Sequence, residues 1–429
     1  MKKLILLLLL LPVISFSKSF LISNIPIPKV YVQNLDPYPC DEECLTNYLE
    51  NDMIFSFLAY ANKKLPNTQL DDVRMMHIAI LNLGANRFSS KLKIALLLPY
   101  NKIGKYASST TNASLAYLMT KNHSFKLKSY KIQNEELQEI QKTIDLIKKD
   151  GFSYIIAPVT QIGAKNISII NPNINIYFPT INKKDINTTS QNLYFGGIDY
   201  QAQSDKLLKE AVSPLVIFYD KSTIGSKLAS YEENTFKYKN EISTELNTTE
   251  PLKVLDDNKT VIKFSIPRRT TNLEKYLKEN NDINGSSCFI NTPIVKTSMI
   301  MSQLTLYDTN TTEITNILST QINYDPLLLS MTQYADRKNM IIANSITKQN
   351  SVLIEANTLL NNDIVYDWIN YTTTVGIDYF YSKITSESRE YNINLLDNQM
   401  QYDIKLIKPS YSKFKPYIAP VRKQLLFLE

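Results

Sequence analysis

Short apolar runs alternate with helix-spaced segments over most of this chain. KIALLLP (93–99) is apolar without a break from Ile94 and stops at Pro99. YIIAPV (154–159), INIYFPTIN (174–182), PLVIFY (214–219), VIKFSIP (261–267) and SCFINT (287–292) repeat the pattern, and SFKLKSYKI (124–132) reads as a partly alternating strand. Between the runs the spacing lengthens to three and four. Leu137, Ile140, Ile144 and Ile147 share one face of a helix predicted over 135–150, which Gly151 ends. Further helices are predicted over 112–120, 200–212, about 224–235 and 272–279. Unbroken apolar strands between amphipathic helices predict an α/β fold with parallel sheets covered on both faces. Right-handed crossovers then gather the strand-to-helix loops at one sheet edge.

The ends read differently. Residues 18–40 are rich in proline and polar groups and predict an extended arm. Apolar stripes over 41–63 and 69–86, separated at Pro66, predict a small helical hairpin. Near the other end, 366–383 predicts a helix carrying Trp368, the only tryptophan, as a core residue. The stretch YNINLLDNQMQYDIKLIKP (391–409) predicts a β-hairpin turning at Asp397-Asn398.

Composition narrows the function. At 429 residues the chain suits two or three domains or lobes. Its formal charge of +6 is spread among mixed signs, with no basic run interleaved with aromatics, so nucleic acid is not an expected partner. MKKLILLLLLLPVISFSKSF has two lysines, an apolar core from Leu4 to Ile14 and small residues before Lys18. That core is short of the roughly 20 residues a span needs, so a signal peptide over 1–17, cleavage before Lys18 and export to the periplasm are expected. No stable membrane span is expected after cleavage. In an oxidising compartment, Cys40 and Cys44 are expected to close a small disulfide loop, and Cys288 to be a buried free thiol. The only histidines, His77 and His123, show no metal-ligand spacing. Neither is placed for a Ser-His-Asp triad, and no nucleophile elbow or phosphate loop occurs. No catalytic residue, metal or cofactor is therefore assigned. Glu135-Glu136 and Glu232-Glu233 read as solvated helix faces.

The best local clue is KIALLLPYNKIGKYASSTTNASLAYLM (93–119). Pro99 ends a strand at the ligand-binding edge of an open α/β sheet, and Gly104 permits a turn. Ser108 to Thr111 then fall at or near a helix N-terminus, where hydroxyls either cap the helix or help to hold an anion.

In this order, KIALLLPYNKIGKYASS, YIIAPVTQIGAKNI, IYFPTIN, YFGGIDYQAQSDKLLKEA, LVIFYDKSTIGSKLA, IPRRTTNLEKYLKEN and CFINTPIVKTSMIMSQL resemble type I periplasmic binding proteins, the leucine/branched-chain amino-acid receptor-like superfamily. Ala157 stands where that family has glycine. The likeness runs over roughly 91–420. It extends to the carboxy-terminal domain of penicillin-binding protein activators, which a helical domain precedes. The resemblance implies a two-lobed fold. The expected divisions are an arm and helical hairpin (18–90), a first lobe (91–213), a second lobe (214–345) and a shared crossover helix with a closing β-element (346–429). It implies ligand-binding roles for Ser108, Ser109, Thr160, Gln161, Thr180 and Asn182 in the first lobe and for Asp220 and Thr223 in the second. Asn291 and Thr292 are further candidates there, with Tyr106 and Tyr219 as apolar walls. Two readings follow. One is a non-catalytic receptor for a small amino-acid-like solute, delivered to an inner-membrane transporter. The other is an envelope protein-interaction or regulatory protein using the same fold without a small ligand.

Overall fold

The computed structural model describes Val32, Asn34 and residues 38–81, 88–121, 123–241, 252–256, 259–278, 280, 283–306 and 314–419. The expected leader and most of the expected arm lie outside those residues. The described residues form two compact units. One ends at Phe88 and includes 119–121; the other holds the rest.

The first unit contains helices Glu42–Glu50, Ile54–Tyr60 and Thr68–Ile80. Asp41 caps the first by accepting the Cys44 N–H, and Asn67 caps the third through the N–H groups of Gln69 and Leu70. A disulfide joins Cys40 to Cys44. Leu45, Phe57, Leu58, Ala61 and Ile78 make its core. The stripe over 41–63 is two helices rather than one, because Asp52 enters the left-handed region at φ 56° and turns the chain between them.

The second unit contains two sheets. The first is built from β1 (Phe88–Leu98), β2 (His123–Lys131), β3 (Tyr154–Ile156), β4 (Asn175–Phe178) and β5 (Leu193–Phe195). The second is built from β6 (Leu215–Tyr219), then, after a small antiparallel ribbon of β7 (Tyr238–Glu241) and β8 (Leu252–Leu255), β9 (Val261–Ser265), β10 (Ser287–Asn291), β11 (Asn316–Ser319) and β12 (Met340–Asn344). Two short pairs finish the edges: β13 (Asn394–Leu396) with β14 (Gln399–Gln401), and β15 (Lys405–Pro409) with β16 (Phe414–Pro416). The orders are β2-β1-β3-β4-β5-β14-β13 and β9-β6-β10-β11-β12-β15-β16. Both lobes thus repeat one winding.

Strand periodicity explains why helices cover both faces of each sheet. On β1, Leu92, Ile94, Leu96 and Leu98 join one core with Tyr117, Tyr371 and Phe380, while Ala95 and Leu97 join the opposite core with Ile140, Ile144 and Ile147. On β6, Val216 and Phe218 face one core, and Leu215 and Ile217 the other. Each such fully buried aliphatic or aromatic side chain contributes about 1.5–3 kcal/mol. The helix Trp368–Thr385 closes over the first sheet at Gly376, where a Cβ would lie 2.3 Å from the Tyr177 ring. The Tyr177 hydroxyl donates to the Thr372 carbonyl at 3.0 Å, which fixes the ring in that place. On the same helix the fully buried Asp378 accepts from the Tyr117 hydroxyl (2.8 Å), the Glu390 N–H (2.7 Å) and Arg389 Nε (3.2 Å).

Three further expectations change. The helix expected over 112–120 begins at Tyr106, so the hydroxyl run lies inside it. Ser108 donates to the Lys105 carbonyl, Thr111 to Ala107 and Ser114 to Thr110, the backbone bonds that let Ser and Thr sit within a helix. Helix Tyr200–Leu208 packs on the second sheet, with Leu207 in its core and Gln203 donating to Ser345. The chain therefore leaves the first lobe ahead of that helix rather than at 213. The hairpin over 391–409 stops at Gln401. Asp397 and Asn398, at φ 48° and 61°, make its turn as expected, but β15 belongs to the other sheet.

Candidate functional site

In both sheets the windings diverge beside the first strand, between β1 and β3 and between β6 and β10. Such switch points open a crevice beyond the strands' carboxyl ends. Here a cavity of about 900 Å³ lies at the switch point of the first sheet and is lined on its other side by the helix after β6.

Its first wall follows β1. A single turn, Tyr100–Ile103, ends at Gly104 with φ 54°, and Lys102, Ile103 and Tyr106 face the cavity. The loop after β2 brings Glu135, just outside helix Leu137–Lys149. The loop after β3 brings Thr160, the N-cap of helix Gln161–Ile170. Thr180, Asn182, Lys184 and Asp185 come from the loop after β4, and Thr223, Ile224, Lys227 and Leu228 from the helix after β6. Tyr200 enters from the crossing helix, and burial pushes its hydroxyl up to about 12.

Five expected ligand residues, Thr160, Gln161, Thr180, Asn182 and Thr223, line the cavity. Their polar groups are mostly engaged already. Thr180 donates to the Val159 carbonyl (3.1 Å), Gln161 to Asp185 (3.0 Å) and Asn182 to Gly197 (3.2 Å). Ser108, Ser109 and Asp220 do not line it. Ser108 and Ser109 sit within their helix, with Ser108 bonded back to Lys105. Asp220 accepts the Ser222 N–H and hydroxyl and so holds its own turn, and a Cβ at Gly225 would meet its carboxylate at 2.3 Å. Tyr106 is a wall as expected, whereas Tyr219 is not.

Glu135 is not a solvated helix residue. It is only 4% exposed, and its carboxylate accepts both the Thr160 N–H (2.7 Å) and the Thr160 hydroxyl. Asn166 donates to its backbone carbonyl at 2.7 Å. Gly163 leaves the room it needs, since a Cβ there would lie 2.7 Å from the carboxyl carbon. Its place in a strand-to-helix loop at the crevice edge is visible in the sequence, but Glu136 shares it, and only the folded contacts with Thr160 and Gly163 set Glu135 apart. Lys227 of the second lobe pairs with Asp185 of the first at 2.6 Å, across the cavity. Lys184 pairs with Asp199.

Beneath the second-lobe wall, Glu232 is fully buried rather than solvated. It accepts from Ser204 Oγ at 3.0 Å and from Asn291 Nδ2 at 2.5 Å. Burial with no cation beside it pushes its carboxyl up to about 8. Asn291 and Thr292 are likewise buried, and neither reaches the cavity. Among the described residues, no group of three or more His, Cys, Asp or Glu could hold a metal, and no helix is long and apolar enough to cross a membrane.

No protein-family model matches the chain, and no curated protein matches it by sequence. Solved structures do match. An ABC transporter substrate-binding protein from Sphaerobacter thermophilus aligns with a TM-score of 0.55 and 11% identity, over 77% of this chain and 97% of that one. A putative branched-chain amino acid ABC transporter protein from Rhodospirillum rubrum aligns with a TM-score of 0.54 and 8% identity, over 76% of this chain and all of that one. A solute-binding protein from R. palustris, solved with 4-hydroxybenzoate, aligns with a TM-score of 0.50 and 10% identity, over 76% and 96%. The two sheets, their shared winding and the crevice between them are the fold of type I periplasmic binding proteins.

Proposed function

We propose that this chain is an exported, non-catalytic solute-binding protein that takes a small organic molecule between its lobes and hands it to a membrane transporter. The observation that carries the reading is the cavity itself, about 900 Å³ at the switch point of the first sheet and walled on its other side by the helix that follows β6 in the second lobe. A pocket divided between two lobes couples occupancy to closure. The interlobe pair Lys227–Asp185 supports that closure. The side chains there suit binding rather than catalysis. The described lining contains no histidine, serine or cysteine, and its hydroxyls and amides mostly hold loops in place. The expected leader supports export, and fold neighbours that are ABC transporter substrate-binding proteins support the transporter partner.

The test is thermal unfolding of the chain from Lys18 onward against amino acids, aromatic acids, amines and short peptides, with small-angle scattering on any hit. Saturable stabilisation by one compound class, with a smaller radius of gyration when bound, is expected. No stabilisation by any class would refute the solute reading. It would favour the envelope protein-interaction reading, with crosslinking in the periplasm as its check.

A further inference from the structure

The chemistry of the cavity narrows the solute, on the premise that the cavity binds one. We propose that the solute is apolar over most of its surface, carries an amine or amide donor, and lacks a carboxylate. The reason is that the protein supplies the carboxylate itself. A helix N-terminus with a free N–H and a neighbouring hydroxyl attracts an anion. At helix Gln161–Ile170 both groups, the Thr160 N–H and hydroxyl, are bonded to Glu135. Glu135 is 4% exposed, is anchored through Asn166 and is accommodated by Gly163, so it is built into that place rather than resting there. A second carboxylate at the same donors would meet like charge at close range and would have to expel a buried group.

The remaining lining agrees. Its three lysines face four carboxylates, and Lys227 and Lys184 are already paired with Asp185 and Asp199. The described lining therefore offers a carboxylate no excess of positive charge. Ile162, 67% exposed, and Ile224, 51% exposed, are the second residues of helices from opposite lobes and present aliphatic surface to the cavity, as Tyr106 presents its ring. Each Glu135 oxygen accepts one of these bonds and keeps further acceptor capacity, which an N–H donor on the solute can use.

Two measurements test this. The first compares binding of pairs that differ only in the carboxylate: tyramine with tyrosine, and isoamylamine with leucine. At least tenfold preference for the amine is expected, and Glu135→Gln, which keeps the side chain's shape, should reduce that preference. Equal or tighter binding of the amino acids would overturn the proposal. The second is rescue. Glu135→Ala leaves the Thr160 donors unfilled, so millimolar acetate at constant ionic strength should raise its melting temperature while leaving the parent protein and Glu135→Gln unmoved. Indifference of Glu135→Ala to acetate would overturn the proposal, because Thr160 would then not form a carboxylate site. Rescue by acetate, with neither series binding the parent protein, would uphold Glu135 as the built-in carboxylate and count against the solute-binding reading instead.

Discussion

Glu232 makes the stability of this protein pH-dependent in a direction opposite to that of most carboxylates. Its folded value of about 8 stands well above the ordinary 4.5. Below pH 4.5 both folded and unfolded chains hold the proton, so the group contributes no pH dependence. Between 4.5 and 8 the unfolded chain loses the proton first, and stability falls as pH rises. Above 8 both forms are ionised and the loss is complete. With one pKa unit equal to about 1.4 kcal/mol, the cost between pH 5 and pH 9 is on the order of 4 kcal/mol. Glu232→Gln replaces the neutral acid with a neutral amide. It can accept from Ser204 and donate to the Asn291 Oδ1, which has no partner among the described residues. Denaturant unfolding of both proteins from pH 5 to pH 9 is the assay. The variant should match the parent within about 1 kcal/mol at pH 5 and exceed it by several kcal/mol at pH 9. A stability difference that does not change with pH would refute the reasoning, since Glu232 would then be ionised in the folded protein throughout.

Asp378→Ala should destabilise the protein by about 3–5 kcal/mol in the same assay, because it strips Arg389 of its buried partner and removes the acceptor of the Tyr117 hydroxyl and the Glu390 N–H; a loss below about 1 kcal/mol would show that water replaces it. Lys227→Ala breaks a partly exposed interlobe pair worth about 0.2–1 kcal/mol, so affinity for a cavity solute should fall no more than about fivefold, and the difference should shrink in high salt. A larger, salt-insensitive loss would mean that Lys227 touches the solute directly.

The sheets were legible in the sequence because their strands are apolar on both faces, a pattern a solvent-facing strand does not show. β1, β3, β6 and β10 all follow from it. The sheet edge at which ligands bind follows from the winding, whereas the cleft between lobes and Thr160, Thr180 and Thr223 as candidates follow only from the resemblance. What stayed hidden depends on distant partners. Glu135 sits in the charged stretch QNEELQE, and nothing local distinguishes it from Glu136. Its burial is decided by Thr160 and Gly163, which fold up against it. Glu232 is hidden in the same way by Ser204 and Asn291. The hydroxyl run 108–111 does lie near a helix N-terminus, but inside the first turns rather than ahead of them, because Ser and Thr serve equally as caps and as helix residues bonded to the preceding turn. β15 reads like a continuation of the β14 hairpin, and only its apolar partners on β12 draw it to the second sheet.

The pairing of Phe195 on β5 with Gln399 on β14 has a consequence for how the chain reaches its native state. The first sheet cannot gain its outer strands until residues far along the chain arrive, and the same segment then completes the second sheet through β15 and β16. Such non-local pairing slows folding. Neither sheet has all its strands until residues 394–416 are made, so both lobes depend on the same late segment for their outer edges.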